Sequence, residues 1–403
     1  MNTNMGITIR IKPNATQRKL LASHFGANRW LWNYFLEKRR IEYQATKTGS
    51  NYVKDAAALT KLKHDGVHDW LNETSTASLQ RTLKHLDDSY KRFFKGHAKF
   101  PRFKSKRHDQ SFTLAGGIKV EEKRLIIPKF QEGFRFNRKL PAFKKVNNVT
   151  IRRTAGGIYY AALSVEAERD ALPKTGVEVG VDMGLIDFAV FSTGERIKAP
   201  KLFRQQQARL KRAQQHLARK KKGSARREIQ RRKVAIIHEQ IANARKDFLH
   251  KASAFAVKRF DTICVEDLAV KNMIRNRALA KSIADVGWSE FIRQLSYKTQ
   301  WYGRTLAKVG RFYPSSKTCS ACGFIHQGLQ LADRKWDCPK CGATHDRDLN
   351  SAVNILRECK RDFGAVIPEN RRRGSGRPKR VRPARAAASE APNPKRRLHA
   401  SVG

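Results

Sequence analysis

The chain has 403 residues, and its 84 Lys and Arg against 35 Asp and Glu give a formal charge of +49. That excess goes far beyond what solubility requires and points to a polyanionic partner, nucleic acid foremost, because each neutralised phosphate releases counterions. No apolar run approaches the ~18–20 residues of a membrane span, so no membrane partner is expected, and the length suits two or three domains with a sizeable core.

Ile7, Ile9 and Ile11 alternate with Thr8 and Arg10, which predicts an opening strand ended by Pro13 and Asn14. Thr16 is the expected N-cap of the next helix, with Leu20, Leu21, Phe25, Trp30, Leu31 and Phe35 on its buried side. Helical spacing persists to about residue 97, as in Leu79, Leu83, Leu86 and Tyr90. Trp30, Trp32, Phe93 and Phe94 have the surface to stack on bases, but their spacing suits a helix core and they are read as structural. From Phe112 the period turns toward two. Strands are expected near 111–115, 118–127, 147–154 and 158–166, with Ala155-Gly156-Gly157 as a hairpin turn. The first unit is therefore all-β, interrupted near its start by a helical insertion.

Pro173-Lys174-Thr175-Gly176 reads as a linker into a second domain. Val177, Val179 and Val181 lead into Asp182, a turn at Gly184-Leu185 follows, and strands are expected at Phe188–Ser192 and Glu195–Lys198. Residues 202–259 read as two helices broken near Gly223-Ser224. Residues 201–233 carry 14 Lys and Arg with Glu228 as the only acid, a like-charge run that would weaken an isolated helix. A phosphate-tracking face explains it better, with Lys211, Arg212, Arg219, Lys220, Lys221, Lys222, Arg226 and Arg227 as the expected nucleic-acid contacts. A short buried strand, Asp261–Val265, delivers Glu266, and Cys264 within it reads as core packing. A helix over Trp288–Ala307 and a strand over Val309–Tyr313 follow.

Cys319/Cys322 and Cys338/Cys341 are two CxxC pairs separated by 15 residues. Four thiolates at this spacing close a tetrahedral shell around one structural Zn²⁺. Disulfides are not expected, because no signal peptide is evident and only Cys264 and Cys359 remain; the thiols suit a reducing cytoplasm. His345 stands near the ribbon, but four sulfurs already fill the shell. Leu349, Ala352, Val353 and Leu356 then mark one face of a last helix. From about 364, Pro, Gly, Arg and Ala dominate without periodicity, and 371–403 hold 11 cations with Glu390 as the only acid. That tail is expected to be disordered until it meets a polyanion.

The second domain thus reads β-β-β-α-β-α, with Asp182 ending its first strand, Glu266 ending its fourth and Asp348 opening its last helix. Three converging carboxylates persist as anions when Mg²⁺ or Mn²⁺ neutralises them, and two such ions suit phosphodiester hydrolysis. Asp187, Asp267 and Asp346 are nearby rivals for the same roles.

The segments VGVDMGL at 179–185, ICVEDL at 263–268 and HDRDLNSAVNI at 345–355, with the cysteine ribbon between the last two, resemble the TnpB (OrfB) proteins of bacterial insertion sequences. These are similar to the nuclease core of type V CRISPR effectors. GANRWLWNYFLEKR at 26–39 and FFKGHAKFPRFKSKRHDQSF at 93–112 agree, so the resemblance spans about residues 5–360. It implies a multidomain α+β protein with an RNase H-like (RuvC) nuclease domain over 176–314 and 343–362, into which a zinc ribbon, 315–342, is inserted. It also implies a wedge-like β-barrel over 1–14 and 110–172, a helical recognition lobe over 15–109, and the basic tail 364–403. Asp182, Glu266 and Asp348 match the catalytic acids by motif, Asp346 being the runner-up for the third. With no departure from that triad, nuclease-dead relatives are disfavoured. The implied activity is RNA-guided DNA cleavage in the bacterial cytoplasm, near the nucleoid. A guide RNA and double-stranded DNA are the partners, and a short flanking motif marks the target. A strand-transferring transposase and a non-catalytic nucleic-acid-binding regulator are the alternatives.

Overall fold

The computed structural model describes residues 2–106, 110–276, 278–330 and 332–363. The expected basic tail, 364–403, lies outside the described residues. Strand β1 (Asn2–Lys12) points Ile7, Ile9 and Ile11 into the first core. Helix α1 (Ala15–Thr46) begins at Asn14 and not at Thr16. Asn14 Oδ1 accepts the Gln17 N–H at 2.8 Å, and Gln17 Oε1 accepts the Asn14 N–H at 3.0 Å. This reciprocal capping box outcompetes a threonine placed two residues later.

The early turns of α1 seat Leu21 and Phe25 on the β-sheet. Farther along, Leu31, Phe35 and Leu36 pack with α2 (Tyr52–Leu62) and α3 (Thr76–Phe94) through Leu59, Leu79, Leu83 and Leu86. Inside this helical core the Arg39 guanidinium lies 2.6 Å from Asp55 and 3.4 Å from Asp87, all three side chains buried. One buried cation between two carboxylates ties the three helices together; removing it would strand Asp55, while Asp87 would keep Lys91 at 2.8 Å. Trp32 is buried here and donates to the Arg102 carbonyl at 3.0 Å, whereas Phe94 is exposed.

The chain then forms β2 (Gln110–Leu114), β3 (Lys119–Glu121), β4 (Arg124–Ile127), β5 (Phe130–Phe136), β6 (Lys145–Arg153) and β7 (Tyr159–Glu168). With β1 they make an antiparallel sheet in the order β2-β6-β7-β1-β5-β4-β3. Residues 118–127 are thus a hairpin and not one strand. Strand β5 was not anticipated because Gly133, at φ 67°, slips its inside–outside alternation. Among the described residues no ladder joins β2 to β3, so the sheet is an open half-barrel rather than a closed barrel.

The second sheet is built from β8 (Glu178–Asp182), β9 (Asp187–Phe191), β10 (Arg196–Lys198), β11 (Thr262–Glu266) and β12 (Thr305–Val309). Its order is β10-β9-β8-β11-β12, with β8, β11 and β12 parallel and β9 and β10 antiparallel to their neighbours. Helices α4 (Leu202–Ala218) and α5 (Ala225–Arg259) form a hairpin through Leu210, Ile237 and Ile241, while the far half of α5 buries Leu249, Ala252, Ala256 and Val257 on the sheet. Two short helices not anticipated, α6 (Val270–Met273) and α7 (Ala280–Val286), precede α8 (Trp288–Tyr302). Gly303, left-handed at φ 65°, ends α8 at Tyr302, five residues earlier than its apolar pattern suggested. The last strand therefore starts at Thr305, and 309–313 is not the strand expected there. Strands β13 (Lys335–Asp337) and β14 (Thr344–Asp346) make the ribbon hairpin, and α9 (Arg347–Phe363) closes the described chain. No described helix is long and apolar enough to cross a membrane.

Candidate active site

Strands β8 and β11 run in parallel with Val181 beside Val265, so Asp182 and Glu266 leave their carboxyl ends as neighbours. The carboxyl ends of parallel strands are where open sheets place their ligands. Burial above all, then the Glu266 charge, raises the Asp182 carboxyl to about 7. Burial raises Glu266 too, partly offset by the Ser315 hydroxyl. Among the described residues neither acid forms an ion pair. Their partners are hydroxyls: Ser351 Oγ donates to Asp182 Oδ1 at 2.8 Å, and Ser315 Oγ donates to Glu266 Oε1. The two serine oxygens are themselves 3.0 Å apart.

The rival acids are differently placed. Asp187 lies 3.2 Å from Arg196 and 2.7 Å from Lys198. Asp267 pairs with Arg311. Asp346 meets Arg196 at 2.9 Å and its Oδ1 accepts the Leu349 N–H at 3.0 Å, capping α9. Burial pulls Asp346 upward, but that N–H and the Arg196 cation hold it below the usual carboxylate range. These three rivals are each paired with a cation, whereas among the described residues Asp182 and Glu266 form no ion pair, the Arg347 charge being felt at Asp182 without one. Asp348, in the first turn of α9, is close enough for its charge to be felt at Asp182, yet its nearest ionic contact is Arg334 at 3.4 Å. Among the described residues, Asp182, Glu266 and Asp348 do not form a trio whose carboxylate oxygens all lie within 4.8 Å of one another. The structure brings two of the three predicted acids into direct neighbourhood and leaves the third on the adjoining helix.

That helix is pressed onto β8 at Gly180, where a Cβ would stand 2.0 Å from the Ala352 carbonyl oxygen and 2.7 Å from the Leu356 nitrogen. Only a glycine permits this approach. The same helix grips the ribbon: Asn350 Oδ1 accepts the Ser320 N–H at 2.9 Å, Asn350 Nδ2 donates to the Thr318 carbonyl at 2.8 Å, and Asn354 Nδ2 reaches the Ser315 and Thr318 carbonyls at 2.9 and 2.6 Å.

The sulfurs of Cys319, Cys322, Cys338 and Cys341 all lie within 4.8 Å of one another, with Cys319–Cys341 at 3.7 Å and Cys322–Cys338 at 3.6 Å. A tetrahedron of Zn–S bonds of about 2.3 Å has edges of about 3.8 Å, so the quartet is compatible with a structural zinc. His345 Nε2 sits 3.0 Å from Cys319 Sγ, against Trp336, as an outer neighbour of that quartet.

Of the expected nucleic-acid contacts, Lys211, Arg212, Arg219, Lys220, Lys221, Lys222 and Arg226 are exposed along the α4–α5 hairpin. Arg227 is not free in this way. Its guanidinium donates to the Leu217 and Lys220 carbonyls, both at 2.8 Å, and caps the end of α4. Sequence reasoning passed over Ser315 and Ser351. Ser351 stands three residues after Asp348, one helical turn along the same face, which is the signal that could have found it.

Residues 1–48 match a family described as "Helix-turn-helix domain", 162–277 one described as "Probable transposase", and 288–355 one described as "Cas12f1-like, TNB domain". Over the first of these stretches the chain forms β1 and one uninterrupted helix. A Streptomyces pristinaespiralis protein named "Putative RNA-guided DNA endonuclease" is 38% identical over 86% of this chain and 87% of its own length. An Escherichia coli K12 protein of the same description, InsQ, is 31% identical over 86% of this chain and 90% of its own. A solved Cas12f1–sgRNA–target DNA complex aligns with TM-score 0.49 at 14% identity, over 88% of this chain and 99% of that one.

Proposed function

This chain belongs to the TnpB (OrfB) family, and we propose that it acts as its relatives are named, as an RNA-guided DNA endonuclease. The observation that carries the catalytic part is the pair Asp182 and Glu266, half-buried at neighbouring parallel strand ends with hydroxyls as partners and, among the described residues, no ion pair. Such a donor set of hard oxygens fits Mg²⁺ or Mn²⁺. Ions bound there would activate a water and stabilise the leaving oxygen of a DNA phosphodiester. Asp182 and Glu266 present carboxylate oxygens from the sheet, and Asp348 adds a third from α9. Asp346 holds the first turn of that helix. The order β10-β9-β8-β11-β12 supports an RNase H-like (RuvC) reading of 176–314 with 343–362.

In this reading 1–14 with 110–172 is the wedge, 15–109 the recognition lobe and 315–342 the zinc ribbon, which keeps α9 in register. The basic face of the α4–α5 hairpin tracks phosphates of the guide RNA or the target, and a short motif beside the target licenses cutting. Nucleoid DNA in the cytoplasm is the proposed place of action.

The test is plasmid cleavage with guide RNA and Mg²⁺, run beside a binding assay. Asp182→Ala, Glu266→Ala and Asp348→Ala should each lose cleavage by several orders of magnitude while guided binding persists, since groups acting as one unit fail together. Asp346→Ala should cut far better than Asp348→Ala and lose about 1 kcal/mol of stability with the helix cap. Full cleavage by Asp182→Ala would defeat the site, and strand transfer instead of hydrolysis would favour a transposase.

A further inference from the structure

We propose that Ser315 and Ser351 are positioning residues of the cation site, a hydroxyl bridge that holds Asp182 and Glu266 at the spacing at which both can ligate one divalent ion. The proposal rests on reading those two acids as cation ligands. Four separate segments meet here: β8 brings Asp182, β11 brings Glu266, the turn after β12 brings Ser315 and α9 brings Ser351. Both serines are buried, at 5% and 1% exposure, so water does not compete for their hydroxyls. Each hydroxyl engages one oxygen of one acid, Oδ1 of Asp182 and Oε1 of Glu266. The second oxygen of each acid carries no hydroxyl partner from this pair and remains for a ligand.

The bridge is itself anchored. The Ser315 N–H donates to the Tyr313 carbonyl at 2.9 Å, and its own carbonyl accepts from Asn354 Nδ2 at 2.9 Å. Ser351 rides on the stretch of α9 that presses on Gly180. Among the described residues neither carboxyl forms an ion pair, so the two hydroxyls are the side-chain contacts that fix their orientation. Groups that orient ligand carboxylates from outside the coordination shell commonly change metal affinity by about 10–100-fold when removed.

The experiment titrates Mn²⁺ into the purified full chain and follows binding by electron paramagnetic resonance, with no cleavage step involved. Wild type is compared with Ser315→Ala, Ser351→Ala and, as a control one residue away that touches neither acid, Ser316→Ala. Zinc content and thermal melting report the fold. Mn²⁺ affinity should fall about 10–100-fold in each bridge variant, with zinc and melting unchanged and Ser316→Ala resembling wild type. Wild-type Mn²⁺ affinity in both bridge variants would overturn the proposal. So would loss of zinc and melting together with affinity, since that assigns the serines a purely structural role. An Asp182→Ala chain that binds Mn²⁺ like wild type removes the cation site itself, and the bridge falls with it.

Discussion

The three contacts that join Asp182, Ser351, Ser315 and Glu266 need three protons, and two serines supply two. With both acids ionised, each serine donates to its own carboxylate and the 3.0 Å contact between them has no hydrogen. A proton on Asp182 lets the chain of hydrogen bonds run in one direction, in keeping with a carboxyl raised to about 7 by burial and by the Glu266 charge. An acid whose folded value lies above its unfolded one, ~3.9, contributes fully below that lower value and loses its contribution as pH rises through the upper. In metal-free protein, Asp182→Asn should therefore gain stability over wild type between about pH 4 and about pH 7, and keep that gain above it. Urea denaturation at pH 5 and pH 8 measures this, and Mg²⁺ at pH 8 should narrow the gap by replacing the proton. Equal stability of the two chains at pH 8 would exclude the buried proton. Asp182 and Glu266 were legible as strand-end acids. The serines were not, because Ser351 reaches Asp182 across 169 residues and Ser315 reaches Glu266 across 49. The motif resemblance alone put Asp348 ahead of Asp346, and only the fold brings Arg196 to the latter.

Helix α9 links both candidate centres. One side of it meets β8 at Gly180 and carries Ser351, while Asn350 and Asn354 hold the first cysteine knuckle. Gly180→Ala would drive a methyl into the α9 backbone, which cannot yield as a side chain can. The cost should be at least about 1–3 kcal/mol, with cleavage falling as Asp348 and Ser351 shift. Gly6→Ala, in open space on β1, should leave both unchanged. Denaturation curves and plasmid cleavage on the two variants decide it; a silent Gly180→Ala would mean that α9 does not sit on β8. From the other side, Cys338→Ser should lower zinc content and loosen α9, because metal-binding free energy is folding free energy in so small an element. Far less than one zinc per wild-type chain would contradict the ribbon. The CxxC spacing was readable because each short turn brings its own two sulfurs together, and the fold gathers all four within 4.8 Å of one another. The end of α8 was misplaced because apolar spacing ran past Gly303, whose left-handed backbone stops the helix whatever follows.

At the scale of the molecule, the formal charge of +49 favours a polyanionic partner, and the exposed turn between α4 and α5 carries a dense run of it. Changing Lys220, Lys221 and Lys222 to Ala should flatten the slope of log K against log salt for nucleic-acid binding by about 3, one increment per lost phosphate contact. Filter binding between low and moderate salt measures it, and an unaltered slope would make this run a solvated surface. The linker read at 173–176 illustrates what patterning misses. Asp261 accepts the Thr175 and Gly176 N–H groups at 2.9 and 2.8 Å, and Arg304 donates to the Pro173 carbonyl at 2.7 Å, pinning a stretch that looks free in sequence. The sequence alone determined what depends on neighbours along the chain: the alternation that makes strands, the helical period, the cysteine pairs, the charge, and the motif resemblance that named the family. Only the tertiary structure decided what depends on distant segments meeting. It set β8 beside β11, opened the sheet that a barrel was expected to close, gave Asp187, Asp267 and Asp346 their cations, and left Asp182 and Glu266 with two serines. Local periodicity is fixed by backbone geometry within a few residues, whereas the partner of a buried charge is whatever the fold carries to it.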